Sequence, residues 1–283
     1  MIQVDNLSKS YGKKMALDHI TASIHDEHIF GLLGTNGAGK STFLKILSGI
    51  LKPDSGTVII DDHPVFENEL TKADICFLSD NPYFFPNATP HTMAHYYSLA
   101  YSQFDTIRFE ELARQFHIDI QEKISDFSKG MKVKLAFAVA LSHKAELLIL
   151  DEATSGLDPI IRDDVLDMLI DFVQDENHSV LVSSHITSDL EKVADYITFI
   201  HKGKLVFSHD KDDLVDNYGI VSCGSVIFDT LDKTDTIAYR KEDYQYKVLV
   251  RNRNKAAKNY PKAIVSPATI EEIMLFYVKG ELQ

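Results

Sequence analysis

The stretch Gly34-Thr-Asn36-Gly37-Ala-Gly39-Lys40-Ser41-Thr42 decides the fold, because it fits G-x-x-x-x-G-K-[ST] at every fixed position. Before it runs Ile29-Phe-Gly-Leu-Leu33, a short apolar run bounded by turn residues, which reads as a buried strand. After it come Phe43, Leu44, Ile46 and Leu47, apolar at helical spacing. Strand, glycine loop and helix are the context a phosphate cradle needs. The glycines let backbone N–H groups converge on a β-phosphate, and the helix N-terminus adds the positive end of its dipole. Lys40 is expected to reach the β- and γ-phosphates and the Ser41 hydroxyl to hold magnesium, with Asn36, Gly37, Gly39 and Thr42 completing the loop. A chance glycine-rich turn would rarely carry all the fixed positions in this setting, so the chain is expected to bind a nucleotide.

A second signal is Leu147-Leu-Ile-Leu150-Asp151-Glu152, four large apolar residues ending in two carboxylates. It reads as a central parallel strand whose carboxyl end lies at the phosphate site. Asp151 is then placed for the magnesium shell and Glu152 for polarising an attacking water. The bland alternative is a buried strand that ends in a solvated acidic pair.

Three further elements narrow the class. In Asp126-Phe-Ser128-Lys129-Gly130-Met131 and the apolar run to Leu141, Ser128 is a natural N-cap and Leu135, Val139 and Ala140 share a face. Directly after Glu152 comes Ser155-Gly-Leu-Asp158-Pro159. Then Ser179-Val-Leu-Val-Ser-Ser-His185 reads as another buried strand delivering a histidine at its carboxyl end, which taken alone would be an ordinary strand end.

Over residues 1–207 this set resembles the nucleotide-binding subunit of ATP-binding cassette (ABC) transporters. Phe127-Ser128-Lys129-Gly130-Met131 is similar to the family's LSGGQ signature, Ser155-Gly-Leu-Asp158 to its D-loop and His185 to its switch histidine. Tyr11 stands where the family places the aromatic that stacks on adenine. The resemblance implies that Ser128 and Gly130 face the γ-phosphate held by a second nucleotide-binding subunit, so that two cassettes sandwich two ATP molecules. It implies that His185 contacts the γ-phosphate and the water, and that Asp158 runs across the dimer interface.

The chain departs from the pattern at several positions. The resemblance sets Asp80 in Ile75-Cys-Phe-Leu-Ser-Asp80 where the family commonly has Gln; a carboxylate can ligate magnesium but offers no N–H. Ala153 replaces the proline that often follows the glutamate, and Lys129 and Met131 alter the signature while leaving Ser128 and Gly130 in place.

The chain has 283 residues, 45% of them hydrophobic, enough for one large domain plus a small one. A net charge of -13 argues against a nucleic-acid groove as the main business of the surface. No stretch approaches an uninterrupted apolar run long enough to span a membrane, and the opening Met1-Ile-Gln-Val reads as a first strand and not as a signal peptide, so the protein is expected to be soluble by itself, at the cytoplasmic face of the membrane through a membrane subunit. Cys76 and Cys223 lack any paired spacing, which fits a reducing compartment.

Alternating strands and helices predict an α/β P-loop NTPase core with a mainly parallel sheet in residues 1–207. Helical periodicity within residues 87–145 predicts a helical signalling subdomain, and short apolar runs predict a small α+β accessory domain in residues 208–283. In that last part Ser225-Val-Ile-Phe228 and Tyr246-Lys-Val-Leu-Val250 read as strands. Thr269 and Glu272 form a capping box for a final helix with Ile270, Ile273, Met274 and Tyr277 on one face and Gly280 as its stop. A basic cluster (Arg240, Lys241, Lys247, Arg251, Arg253, Lys255, Lys258, Lys262) is either a solvated face or an anionic-lipid contact. His91 and His95 share a helix face without a third ligand. The aromatic stretch Pro82-Tyr-Phe-Phe-Pro86 with Tyr96-Tyr97 is either core or the surface that meets a membrane subunit.

The leading expectation is the ATPase subunit of a bacterial ABC exporter, with ATP and Mg2+ as cofactors and a transmembrane permease as partner. The ending Glu-Glu-Ile-Met-Leu-Phe-Tyr-Val-Lys-Gly280 is similar to subunits of peptide exporters, phenol-soluble modulin exporters among them, with drugs and lipids as other cargo classes. The alternatives are a soluble ABC ATPase acting on ribosomes or DNA, a low-turnover regulatory subunit, and an importer.

Overall fold

The computed structural model describes residues 1–66, 68–174 and 177–282. Its centre is a six-stranded sheet in the order Lys204–Asp210, Tyr196–His201, Ile29–Leu33, Ser179–Ser184, Leu147–Asp151, Ile75–Leu78. Five of these strands are parallel, and Lys204–Asp210 adds an antiparallel edge. The three middle strands are buried along their whole length, as near-continuous apolar runs in a doubly covered sheet should be. Their registers bring three carboxyl ends side by side. Leu33 pairs with Ser184 and Asp151 with Ser183, so the glycine loop, His185 and the Asp151-Glu152 pair leave the sheet at one edge.

An antiparallel sheet of Ile2–Tyr11, Lys14–Ile24, Ser55–Ile60 and His63–Pro64 covers one face. With the helix Lys40–Leu47 it encloses a core that includes Leu7, Leu17, Phe30, Phe43 and Ile149. On the other face Lys129–Leu141 and Thr187–Val193 contact the sheet, and the apolar cluster continues into Pro90–Ala100 and Thr106–Gln115. Thr89 caps Pro90–Ala100, Asp105 caps Thr106–Gln115, and the expected Ser128 caps Lys129–Leu141. In the last of these Leu135 and Ala140 are buried and Val139 half-buried, and Val133, Ala136, Phe137 and Ala138 are buried as well. His91 and His95 are both exposed on Pro90–Ala100. Among the described residues no group of three or more His, Cys, Asp or Glu is placed to hold a metal, and no helix is long and apolar enough to cross a membrane.

The strand Lys204–Asp210 runs across residue 207, the helix Lys211–Asn217 follows, and a third, antiparallel sheet begins at Gly219. Its strands are ordered Ile264–Pro267, Gly219–Cys223, Gln245–Val250, Thr236–Glu242, Glu281–Leu282. Ser225–Phe228 is a short helix, which corrects the strand reading. The reason is geometric. Ile227 and Phe228 both pack on the small core around Val221 and Val248, while Val226 is 80% exposed. A strand would send neighbouring side chains to opposite faces. The basic cluster is partly neutralised: Lys247 lies 3.1 Å from Glu242, Lys255 pairs with Asp232 and Asp235, and Arg253 donates to Val215 O.

The helix Ile270–Lys279 carries the predicted capping box. Its buried face is Ile270, Ile273 and Phe276, with Met274 and Tyr277 only half-buried, so Phe276 replaces them at the centre. The helix stops at Gly280 as expected, its N–H donating to Phe276 O, though at φ −78° and not in the left-handed region; a Cβ there would run into Phe276 O and Ala238. This helix joins the larger core beside Leu190, Val193 and Ala194, and Tyr277 meets Phe207 at 5.3 Å between ring centres.

Candidate nucleotide site

The glycine loop turns directly from Leu33 into the helix Lys40–Leu47. Gly39 precedes the helix at φ 115°, and a Cβ there would stand 2.6 Å from Ala16 O, so only glycine fits. No side chain caps this helix, which leaves its first-turn N–H groups facing the loop. A cleft of about 440 Å3 opens in front of it. Its lining contains Tyr11, Asn36, Gly37, Gly39, Lys40, Ser41, Thr42, Asp80, Asp151 and Glu152, together with Lys14, Ala16 and Lys45, which the sequence reading leaves out.

Lys40 and Glu152 in the cleft are tied to one another and to His185, which does not itself line it. Lys40 is buried; its ammonium donates to Gly34 O at 2.8 Å and stands 3.1 Å from Glu152 Oε1. The other Glu152 oxygen is 3.3 Å from His185 Nδ1. Glu152 itself sits at φ 50°, a left-handed turn that swings its side chain out of the strand direction. Asp151 is 5% exposed and accepts from the Ser183 hydroxyl at 2.9 Å. Tyr11 ends its strand at the cleft with half its surface exposed, ahead of the Gly12 turn.

The signature segment and Asp158 do not line this cleft. Ser128 Oγ accepts from Met131 N–H as the helix cap. Lys129 donates to Ser155 O at 2.8 Å, and a Cβ on Gly130 would meet Ile161 Cδ1 at 2.6 Å. Asp158 caps Pro159–Phe172, accepting from the Ile160 and Ile161 N–H groups. The segment after Glu152 is anchored by a network of distant residues. Thr154 donates to the buried Asp189 at 3.1 Å, Asp189 lies 4.0 Å from Arg162, and Arg162 donates to Leu157 O. Burial pushes the Asp189 carboxyl above its ordinary range, while Thr154 and Arg162 pull it down.

The aromatic stretch divides. Phe84 is buried, but Tyr83 is 79% and Phe85 55% exposed, and Phe85 packs edge-on to the exposed Tyr96. A neighbouring groove of about 330 Å3 is lined by Ile50, Phe77, Tyr97, Tyr101 and His143, among others.

A glycine loop at a helix N-terminus, a buried lysine and a carboxylate pair at the end of the strand two places away in the sheet define a P-loop nucleoside triphosphatase. The model of the ABC transporter family matches residues 17–155. The lantibiotic transport ATP-binding protein SrtF of Streptococcus pyogenes is 33% identical over 75% of this chain and 92% of its own length. The bacitracin transport ATP-binding protein BcrA of Bacillus licheniformis is 33% identical over 73% of this chain and 68% of its own. A dimeric ATP-binding cassette in a post-hydrolysis state with ADP and Pi superimposes with a TM-score of 0.67 at 20% identity, covering 75% of this chain and 99% of that one. The chain belongs to the ABC transporter family, as an ATP-binding subunit that hydrolyses ATP.

Proposed function

We propose that this chain energises export of an amphipathic peptide through a separate transmembrane permease, at the cytoplasmic face of the membrane and paired with a second nucleotide-binding subunit. The observation that carries its catalytic part is the Lys40–Glu152–His185 cluster at the mouth of the glycine loop. Lys40 and the N–H groups around Asn36, Gly37, Gly39, Ser41 and Thr42 bind the phosphates, and Tyr11 stacks on the base. Glu152 takes the proton of the attacking water, and His185 orients that water and the γ-phosphate. Oxygen donors on Ser41, Asp151 and Asp80 suit magnesium, which is held through few protein oxygens with phosphate and water completing the shell. When bound, magnesium neutralises charge developing on the phosphates.

Ser128 and Gly130 lie off this chain's own cleft, which supports their use on the partner subunit's ATP, with Asp158 at the interface. The working cassette extends through the core-sheet strand Lys204–Asp210 rather than ending at residue 207, with residues 87–145 as its signalling helices and the sheet from Gly219 onward as an accessory unit. The exposed Tyr83, Phe85 and Tyr96 beside the apolar groove suit docking of a membrane subunit. Peptide cargo is favoured by the names of the lantibiotic and bacitracin relatives. Recovery of the tagged chain from native membranes in mild detergent tests the assembly. A polytopic membrane protein should stay bound; recovery only with ribosomes or DNA-repair factors would overturn the reading.

A further inference from the structure

Ser183 is 0% exposed, in a strand buried along its whole length, where it follows Val180, Leu181 and Val182 and where Ser179 and Ser184 are buried as well. A hydroxyl there is costly unless it is bonded, and an apolar residue would be the ordinary choice. Its register partner is Asp151 on the parallel neighbour strand. The hydroxyl donates to Asp151 Oδ1 at 2.9 Å and accepts the Glu152 N–H at 3.0 Å. The second bond settles the first: with Glu152 N–H directed at the oxygen, the Ser183 proton turns toward the carboxylate.

We propose that Ser183 is a positioning residue for the cation-binding carboxylate: one hydroxyl fixes the rotation of Asp151 and seats the left-handed turn at Glu152. With Oδ1 held by Ser183, Oδ2 is the oxygen left for the cleft that Asp151 lines. The backbone of the turn has a separate anchor, since Glu152 N–H also lies 3.2 Å from Ser183 O. Loss of the hydroxyl therefore acts first on the carboxylate. The inference rests on the reading of Asp151 as a magnesium-shell ligand, and the two are separable.

Mn2+ binding is followed by electron paramagnetic resonance in the presence of a non-hydrolysable ATP analogue. Affinity for a fluorescent ATP analogue in EDTA is measured beside it. Ser183→Ala is expected to weaken Mn2+ binding about tenfold, as loss of a partner behind a metal ligand does, with the EDTA affinity within about twofold of wild type. Ser183→Thr, which keeps the hydroxyl, is expected to restore most of the Mn2+ affinity. Equal Mn2+ binding by Ser183→Ala and wild type overturns the inference. A matching loss of nucleotide affinity in EDTA also overturns it, because that marks general damage to the site. Asp151→Asn is the control on the underlying reading: if it leaves Mn2+ affinity unchanged, Asp151 is no ligand, and if it alone loses affinity, only the role of Ser183 falls.

Discussion

Lys40 and Glu152 are ion-paired across the mouth of the glycine loop at 3.1 Å, so the cation expected to meet phosphate and the carboxylate expected to meet water neutralise each other. A γ-phosphate arriving at Lys40 competes with Glu152 for the same ammonium. Nucleotide binding would thus free the carboxylate when it is needed as a base. Glu152→Gln is expected to lower phosphate release by about 100-fold or more, the range typical for loss of a general base. It should also tighten ATP binding, because a neutral amide no longer holds Lys40 or repels phosphate. Equal turnover by wild type and variant would remove Glu152 from this role.

Tyr11 presents its ring at the cleft and is half exposed, so its truncation should cost little stability. Base stacking on an aromatic ring contributes about 1–3 kcal/mol, so Tyr11→Ala should raise KM for ATP about tenfold with a smaller change in kcat. Tyr11→Trp keeps a stacking face and should stay near wild type. A KM indifferent to the alanine change would mean that the base sits elsewhere.

Asp54 supports the strand that carries Tyr11. Its carboxylate accepts from Lys9 Nζ at 2.8 Å and from the Ser10 N–H and hydroxyl at 2.7 Å each, which holds its pKa down to about 2. A carboxyl depressed in the folded state stabilises above its unfolded pKa and loses that contribution as pH falls through the folded value. The contribution of Asp54 should be complete above about pH 4 and fade toward pH 2. Asp54→Asn should lower the urea midpoint at neutral pH, and the two curves should converge near pH 2. A difference that persists unchanged across that range would contradict the assignment.

Tyr83 and Phe85 are exposed while Phe84 between them is buried, so changes at the outer two can be read as surface effects. The double variant Tyr83→Ala, Phe85→Ala is expected to keep ATP turnover of the isolated chain and the melting temperature close to wild type. It should lose most of the membrane subunit in detergent pull-downs, as interface aromatics do when truncated. Undiminished co-purification would move the docking surface elsewhere.

The parts of the site legible in sequence were those whose chemistry is local. The loop 34–42, the apolar run into Asp151-Glu152 and the cap at Ser128 each carry their meaning within a few residues. Ser183 was not legible, because its role depends on strand register, and a one-residue slip would turn its side chain to the other face. The Thr154–Asp189–Arg162 network was hidden for a similar reason: its polar members lie far apart in sequence and meet only after folding. Ser225–Phe228 misled because three consecutive apolar residues fit either period, and packing against Tyr246, stacked on Phe228 at 4.0 Å, settled the matter.

Phe276 joins the accessory unit to the catalytic core. It is 3% exposed and belongs to the same apolar cluster as Leu190 and Val193, which lie on the helix Thr187–Val193 just after His185. Deleting a buried phenyl ring typically costs about 3–5 kcal/mol, through lost transfer energy and the cavity left behind. Because that cluster runs through both parts, Phe276→Ala should lower a single melting transition for the whole chain. It should also loosen the helix behind His185, seen as faster amide exchange at residues 187–193 while exchange in the Lys40–Leu47 helix stays as in wild type. Two separate transitions, with only the residues after 207 affected, would show instead that the accessory unit folds independently of the nucleotide site.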